Sequence, residues 1–484
     1  MVLLKSLAKN STFNLIYTLL NMLFPLITSA YVSRILLSEG IGRVAYVQTI
    51  VSYFVSFAAL GLQNYGLREI SRVRNDSAEK NKLFTQLLVF NFITTTIALL
   101  AYILLVLNTS NIRRELPLYI ACGMVIFWNY FNVDWLYQGE EDYVYIVCRN
   151  ILIKVLSLIT VLLFVKTKES YVTYALITSV ATGGNNLFNF FHSRKYVRFN
   201  FNDFRLCIHI KPVLILGLGL LIGTIYNKID ITMLGILTAD ANVGYYSYGH
   251  KIIDLILGFA IAITSVYLPR LCFLYDNNQK EFTKLLRQGV QVLMLLTPPM
   301  ATGIFILAPQ IICLLFGEAF LPSAKTVQIF APILIIKAFG DLVCWQLSIC
   351  TRQDQIRIPA AILASTTNIL LNFALIPFFA ERGAAIASVI SELVVNGYQF
   401  VKLRKLVTIP MPKNTVVQAV VSTLIMSVCV LEVTSIIGGG VISLVISISA
   451  GVAVYFIVNL IMKNEIQMML LNKVAEKITQ NIHK

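Results

Sequence analysis

Four lysines and four acids of this 484-residue chain lie deep inside long apolar runs: Lys154, Lys228, Lys251 and Lys337, with Asp230, Asp254, Asp341 and Glu392. Burying an ionised side chain in such surroundings is costly, so each marks a position where a charge has work to do. The lysines, together with Arg34 at the end of the first run, are the groups suited to holding an anionic phosphate or diphosphate. Arginine does so bidentately and lysine as a point charge. The acids are the groups suited to exchanging H+ or Na+ as helices rock. Glu392, with no basic residue within four positions, is the first candidate for that coupling, followed by Asp341 and Asp230. Local pairing is the competing account. Lys337 and Asp341 are spaced i,i+4 and Lys251 and Asp254 i,i+3, so each pair can neutralise itself on one helix face. Lys228 and Asp230 point about 200° apart on a helix and cannot form one local pair. Lys154 has no acid three or four residues away and must look to another helix.

The elements that position these groups have to be membrane helices. Hydrophobic residues make up 57% of the chain and charged residues 13%, with a mean hydropathy of +0.76. Soluble domains carry about 45–50% apolar and about 25% charged residues. This composition excludes a cytosolic enzyme, a secreted disulfide scaffold and an outer-membrane barrel. At about 20 residues per crossing, the apolar content suffices for about fourteen spans. Apolar runs place them near 12–33, 44–62, 83–107, 117–137, 146–165, 170–191 and 212–236, then 244–268, 289–308, 324–348, 357–379, 384–402, 415–437 and 440–462. No signal peptide is evident. Pro25, Pro298, Pro299 and Pro332 fall inside spans and favour kinks. With the N-terminus in the cytoplasm, the cytoplasmic segments hold 26 of the 39 Lys and Arg residues and the outer loops eight. This bias sets both termini inside and accounts for the net charge of +15 without nucleic acid.

The loops are short, which leaves no room for the large outer domain of a membrane polysaccharide polymerase or ligase. No Walker motif, metal-ligand spacing or nucleophile elbow occurs, so neither a cofactor, a metal nor a catalytic residue is expected. The eight cysteines are scattered without a Cys-x-x-Cys pair and read as small hydrophobes rather than disulfide partners. Tyr245, Tyr246 and Tyr248 are the aromatic faces best placed to stack on a sugar. The basic stretches Arg68–Lys82 and Arg194–Lys211 would attract anionic headgroups.

A repeat runs through the chain. A shift of 202 residues lays Ile41-Gly42-Arg43-Val44-Ala45-Tyr46 over Val243-Gly244-Tyr245-Tyr246-Ser247-Tyr248. After a four-residue slip, Phe84-Thr85-Gln86-Leu87-Leu88 meets Phe282-Thr283-Lys284-Leu285-Leu286. Six spans separate the copies, so they share one orientation and are related by an axis along the membrane normal. The implied organisation is an all-α polytopic membrane protein of about 14 transmembrane helices. A six-helix bundle over 1–200 and a pseudo-symmetric one over 201–410 flank a central cavity, and two extra helices with a basic tail occupy 411–484.

The chain resembles the O-antigen and polysaccharide flippases of the multidrug/oligosaccharidyl-lipid/polysaccharide exporter superfamily. The resemblance is carried by Tyr31-Val32-Ser33-Arg34-Ile35-Leu36, Gly61-Leu62-Gln63-Asn64-Tyr65-Gly66-Leu67-Arg68-Glu69-Ile70 and Asp134-Trp135-Leu136-Tyr137-Gln138-Gly139. It continues through Asp230-Ile231-Thr232-Met233-Leu234-Gly235, Leu315-Phe316-Gly317-Glu318-Ala319-Phe320 and Gly383-Ala384-Ala385-Ile386-Ala387. The family's Ser-Arg motif falls on Arg34. The resemblance implies an undecaprenyl-diphosphate-linked oligosaccharide as substrate, moved from the cytoplasmic to the outer leaflet of a bacterial inner membrane by alternating access. An H+ or Na+ gradient and a polysaccharide polymerase are the implied further partners. The rival within the superfamily is a cation-coupled multidrug exporter, against which the deep lysines argue.

Overall fold

The computed structural model describes residues 2–109, 113–469 and 471–472, with side chains from Phe24 onward. Among these residues all regular structure is helical, and ten helices are long and apolar enough to cross a membrane. Two of the longest are interrupted. In α1 (Val2–Ala59) Leu37 leaves helical geometry at φ 55° and ψ −172°, and in the 47-residue helix Arg357–Leu403 Ala380 does so at φ 46° and ψ −126°. Both breaks fall between two runs expected as separate spans. Pro25, Pro298, Pro299 and Pro332 lie within continuous helix.

By contacts the chain divides into two compact units, Met1–Gly244 and Tyr245–Lys484. The first continues from α1 through α2 (Leu62–Arg72), α3 (Ser77–Asn108), α4 (Leu116–Trp128), α5 (Asp134–Gly139), α6 (Tyr143–Phe164), α7 (Tyr171–Gly183), α8 (Asn185–His192) and α9 (Cys207–Leu237). The outer face of α3 is apolar: Ile97, Leu100, Leu104 and Leu107 are 50%, 57%, 59% and 55% exposed. Such a surface suits lipid rather than water. The polar ends are capped. Asp76 accepts from the Ala78 and Glu79 amides, and Asp142 from the Tyr145 amide, satisfying donors that no helical carbonyl reaches.

Two of the recurring motifs pack on each other in this unit. A Cβ on Gly66 would stand 2.8 Å from the Trp135 ring, and one on Gly139 would stand 2.5 Å from Ile70 Cγ2. Glycine there lets α2 and α5 approach, and Trp135, Leu136, Tyr137 and Ile70 are buried in the resulting layer. The motifs Gly61–Ile70 and Asp134–Gly139 are therefore two faces of one packing contact.

The second unit begins within α10 (Asp240–Ser265) and adds α11 (Leu268–Asn277), α12 (Gln279–Phe316), α13 (Ser323–Gly340), a π-helical turn (Asp341–Gln346), α14 (Leu347–Cys350), α15 (Arg357–Leu403), α16 (Lys413–Ile437) and α17 (Val441–Ile461). Tyr246 and Tyr248 are 2% and 3% exposed. Tyr248 stacks on Phe320 at 4.8 Å and meets Phe316 edge-on at 4.6 Å. Tyr246 meets Phe330 edge-on at 5.4 Å, and its hydroxyl lies 3.0 Å from Ser388 Oγ. These two rings are core rather than sugar-binding faces, because Phe316, Phe320 and Phe330 cover them. The cysteines also need correction. Cys272 and Cys350, 78 residues apart, form a disulfide that ties α11 to the end of α14. Sequence spacing cannot show a pairing that the packing of two distant helices creates.

Candidate functional site

The expected charges are spread over both units, and three of them gather in the second. In the second, Lys337 on α13 reaches across to α15, its Nζ 3.0 Å from Glu392 Oε1. The Glu392 side chain is 9% exposed, and its Oε2 accepts a longer contact of 3.4 Å from Asn396 Nδ2. Glu392 is thus not a solitary acid; its cation comes from another helix. Nor does Asp341 pair with Lys337 one turn earlier. The π-turn begins at Asp341, and the carboxylate accepts from Thr264 Oγ1 at 2.6 Å and Gln346 Nε2 at 2.9 Å. The register from Lys337 to Asp341 is still α-helical, the Asp341 amide donating to the Lys337 carbonyl, so the pairing fails because other partners hold the two side chains. Gln346 also donates to the Thr264 carbonyl at 3.1 Å, so α10 and the π-turn close a buried polar triad around Asp341. Three of the predicted residues, Lys337, Asp341 and Glu392, therefore converge on the α13–α15 contact and the turn that follows it.

Lys251 lies elsewhere in this unit, its ammonium 4.9 Å from the Tyr248 ring centroid, a cation–π distance. Asp254 has a partner that the lysine spacing did not anticipate: His250 Nδ1 is 2.8 Å from its Oδ2.

In the first unit Arg34 is exposed near the end of the first half of α1, and its guanidinium donates to the Ala30 carbonyl at 2.6 Å. Lys154 is half-buried on α6. On α9, Asp230 is 7% exposed and Lys228 is half-buried. Among the described residues no carboxylate lies within 4.0 Å of the Lys228 ammonium. Facing α9, Tyr53 meets Thr232 at 2.7 Å and Ser56 meets Thr224 at 3.0 Å, which lines the α1–α9 contact with hydroxyls.

Two constellations escaped the sequence reading. Arg149 on α6 is 8% exposed; its guanidinium pairs with Asp134 at 3.1 Å and donates to Asn189, which in turn donates to Asp134. It falls inside an expected span, so the rule that flags intramembrane charge applies to it as much as to Lys154. Near the α1 break, Arg43 bridges Glu115 at 3.1 Å and Asp240 at 3.0 Å. Tyr171 donates to the other Glu115 oxygen at 2.9 Å. Nothing in the local sequence announces this cluster, since its members are 72 and 197 residues apart.

Comparison with known proteins agrees with this architecture. Residues 7–273 match the family described as polysaccharide biosynthesis protein. The probable low-salt glycan biosynthesis flippase Agl15 of Haloferax volcanii is 24% identical over 241 residues, 49% of this chain and about half, 51%, of that protein. The putative O-antigen transporter of Escherichia coli K12 is 20% identical over 391 residues, 79% of this chain and 93% of its own. The lipid II flippase MurJ in an inward closed conformation superposes with a TM-score of 0.73 at 14% identity, over 95% of this chain and 99% of that one. An inward-facing multidrug transporter of the MATE family gives 0.63 at 17% identity, over 81% and 97%. At such identities the solved structures establish the fold, that of an all-α polytopic membrane protein. With more than half of its length matching the family, the chain belongs to the polysaccharide biosynthesis proteins.

Proposed function

We propose that this protein is a flippase, not an enzyme, which moves an undecaprenyl-diphosphate-linked oligosaccharide from the cytoplasmic to the outer leaflet of a bacterial inner membrane by alternating access. Both termini lie in the cytoplasm on the Lys/Arg bias. The fourteen-span arrangement is supported by the breaks at Leu37 and Ala380, which turn two long helices into four crossings, by the shorter apolar helix Leu116–Phe131, and by α7 and α8 together, Tyr171–Gly183 and Asn185–His192, as one crossing. The observation that carries the proposal is Lys228. It is a half-buried cation on a membrane helix with no carboxylate within 4.0 Å among the described residues, and a lipid-linked diphosphate is the kind of anion that would complete it. The relatives named as an O-antigen transporter and a glycan flippase point to the same substrate class. Arg34, Lys154, Lys251 and Lys337 are the further candidate contacts, and Asp341, Glu392 and Asp230 the candidate sites of H+ or Na+ coupling.

The test is the sidedness of the linked glycan in cells lacking the gene, read with a leaflet-specific probe. Linked oligosaccharide should accumulate on the cytoplasmic face. Wild type should restore export, and Lys228→Ala and Arg34→Ala should each lower it by about tenfold, the worth of one charge-assisted contact. Normal outward appearance of the glycan without the gene would sink the proposal. One observation favours a second reading, a cation-coupled drug exporter: among the described residues Asp341 is held by two neutral donors and no ion pair. In that case loss of the gene raises drug sensitivity and leaves the glycan untouched.

A further inference from the structure

The chain between α8 and α9 carries a feature separate from the charged groups described above. A cavity of ≈ 310 Å³ opens there, walled by the rings of Phe84, Phe190 and Phe199 and edged by Ser193, Arg194 and Arg198. Its aromatic wall is continuous, with Phe199 centred 6.0 Å from Phe84 and 6.5 Å from Phe190. The loop that forms its rim is fixed to α3: the Arg198 amide donates to Asn81 Oδ1 and the Asn200 amide to Thr85 Oγ1, each at 2.8 Å. Among the described residues no carboxylate comes within 4.0 Å of Arg194 or Arg198, whereas nearby Lys80 and Lys82 are engaged by Glu140 and Asp203. The surroundings fit a lipid surface. Phe188, Phe191, Phe199 and Phe201 are 64%, 56%, 53% and 64% exposed, interleaved with Arg194, Lys195 and Arg198. Exposed aromatic rings alternating with cations that no carboxylate neutralises, a few residues from the membrane helix α9, match the headgroup zone of a bilayer. There rings settle among acyl carbons and cations meet phosphate.

We infer that Arg194 and Arg198, over the Phe84–Phe190–Phe199 wall, form a binding site for the phosphate of a membrane lipid. The two guanidinium groups grip the phosphate oxygens, and the aromatic wall takes the first carbons of the lipid. The site needs only the membrane placement of the flanking helices and stands apart from the flippase activity proposed above. Its phosphate could come from bulk phospholipid, from a prenyl-linked lipid or from solution.

The test is native mass spectrometry of the full chain in detergent, counting retained phosphatidylglycerol over a titration. Arg194→Ala with Arg198→Ala should weaken retention roughly thirtyfold, taking about 1 kcal/mol per surface cation. Arg404→Ala with Lys405→Ala removes the same charge from another exposed loop and should leave retention unchanged. Arg194→Lys with Arg198→Lys keeps the charge, should fold even where the alanine pair does not, and should still bind less tightly because the planar fork is lost. Two competitors identify the source. Displacement by geranylgeranyl diphosphate below the phosphatidylglycerol concentration assigns the site to prenyl-linked lipid, and resistance to it assigns the site to bulk phospholipid; either supports a lipid-phosphate site. Displacement by inorganic phosphate at equal concentration overturns it, as does full retention in both arginine variants or an equal loss in the Arg404–Lys405 control.

Discussion

Lys337 and Glu392 form an ion pair between two helices. A carboxylate with 9% of its side chain exposed is tolerable because an ammonium lies 3.0 Å away on the neighbouring helix. Removing one partner strands the other, so Glu392→Ala or Lys337→Ala should cost about 3–5 kcal/mol of stability, visible as a lower unfolding temperature in detergent. The double change Lys337→Met with Glu392→Leu should recover most of that loss, since an apolar pair of similar volume substitutes well for a buried ion pair. If the double variant is stable yet inactive in the glycan assay, the pair carries transport as well as structure. If it is stable and fully active, Lys337 and Glu392 leave the list of transport residues. The same scrutiny reassigns Tyr246 and Tyr248, whose rings are enclosed by Phe316, Phe320 and Phe330.

At the scale of elements, the apolar runs were legible because a span must be long and continuous, and the helices Ser77–Asn108, Tyr143–Phe164 and Lys413–Ile437 fall where those runs do. The π-turn was not legible. Nothing in Asp341-Leu342-Val343-Cys344-Trp345-Gln346 distinguishes it from an ordinary helical turn, and the hydroxyl that donates to Asp341 at its start comes from Thr264, 77 residues earlier. The i,i+4 arithmetic for Lys337 and Asp341 failed likewise, because partners on other helices, Glu392 and Thr264, hold the two side chains. The recurring motifs were legible as landmarks but not as packing: only the folded chain shows that Gly66 and Gly139 are there to admit Trp135 and Ile70. Gly340 is a similar case. A methyl group on it would collide with the Asn396 amide, so α13 and α15 can approach only through glycine. Gly340→Ala should separate these helices, lengthen the Lys337–Glu392 pair and destabilise the protein by about 1–3 kcal/mol. Adding Asn396→Ala should return much of the unfolding temperature. No recovery in the double variant would show that the clash is not what makes Gly340 necessary.

At the scale of the whole molecule, the 202-residue shift read from the sequence meets matching local features. Asp76 and Asn278, 202 residues apart, both cap the helix that follows, accepting from Glu79 and Glu281 amides respectively. Gly42 and Gly244, which the same shift aligns, lie in contact within the first unit: a Cβ on Gly42 would stand 3.0 Å from the Gly244 nitrogen and overlap the Asp240 carbonyl, and one on Gly244 would overlap the Ser38 carbonyl. The first unit runs to Gly244, and α9, which follows residue 201, packs along α1. Beside the two glycines, Arg43 ties α1 to Glu115 and Asp240. These charges are 36%, 32% and 41% exposed, and pairs so open to solvent are worth about 0–1 kcal/mol. A weak tie over a close helix crossing is what a latch requires if it is to break and re-form in every transport cycle. Arg43→Ala should therefore shift the unfolding temperature by only a degree or two. Its effect should appear in exposure: a cysteine placed at Ser38, a residue 8% exposed in this state, should react several-fold faster with a membrane-impermeant maleimide once Arg43 is gone. Unchanged labelling with unchanged stability would make Arg43 a surface ornament and move the search for such a latch to other residues; faster labelling with slower glycan export would tie the latch to the cycle itself.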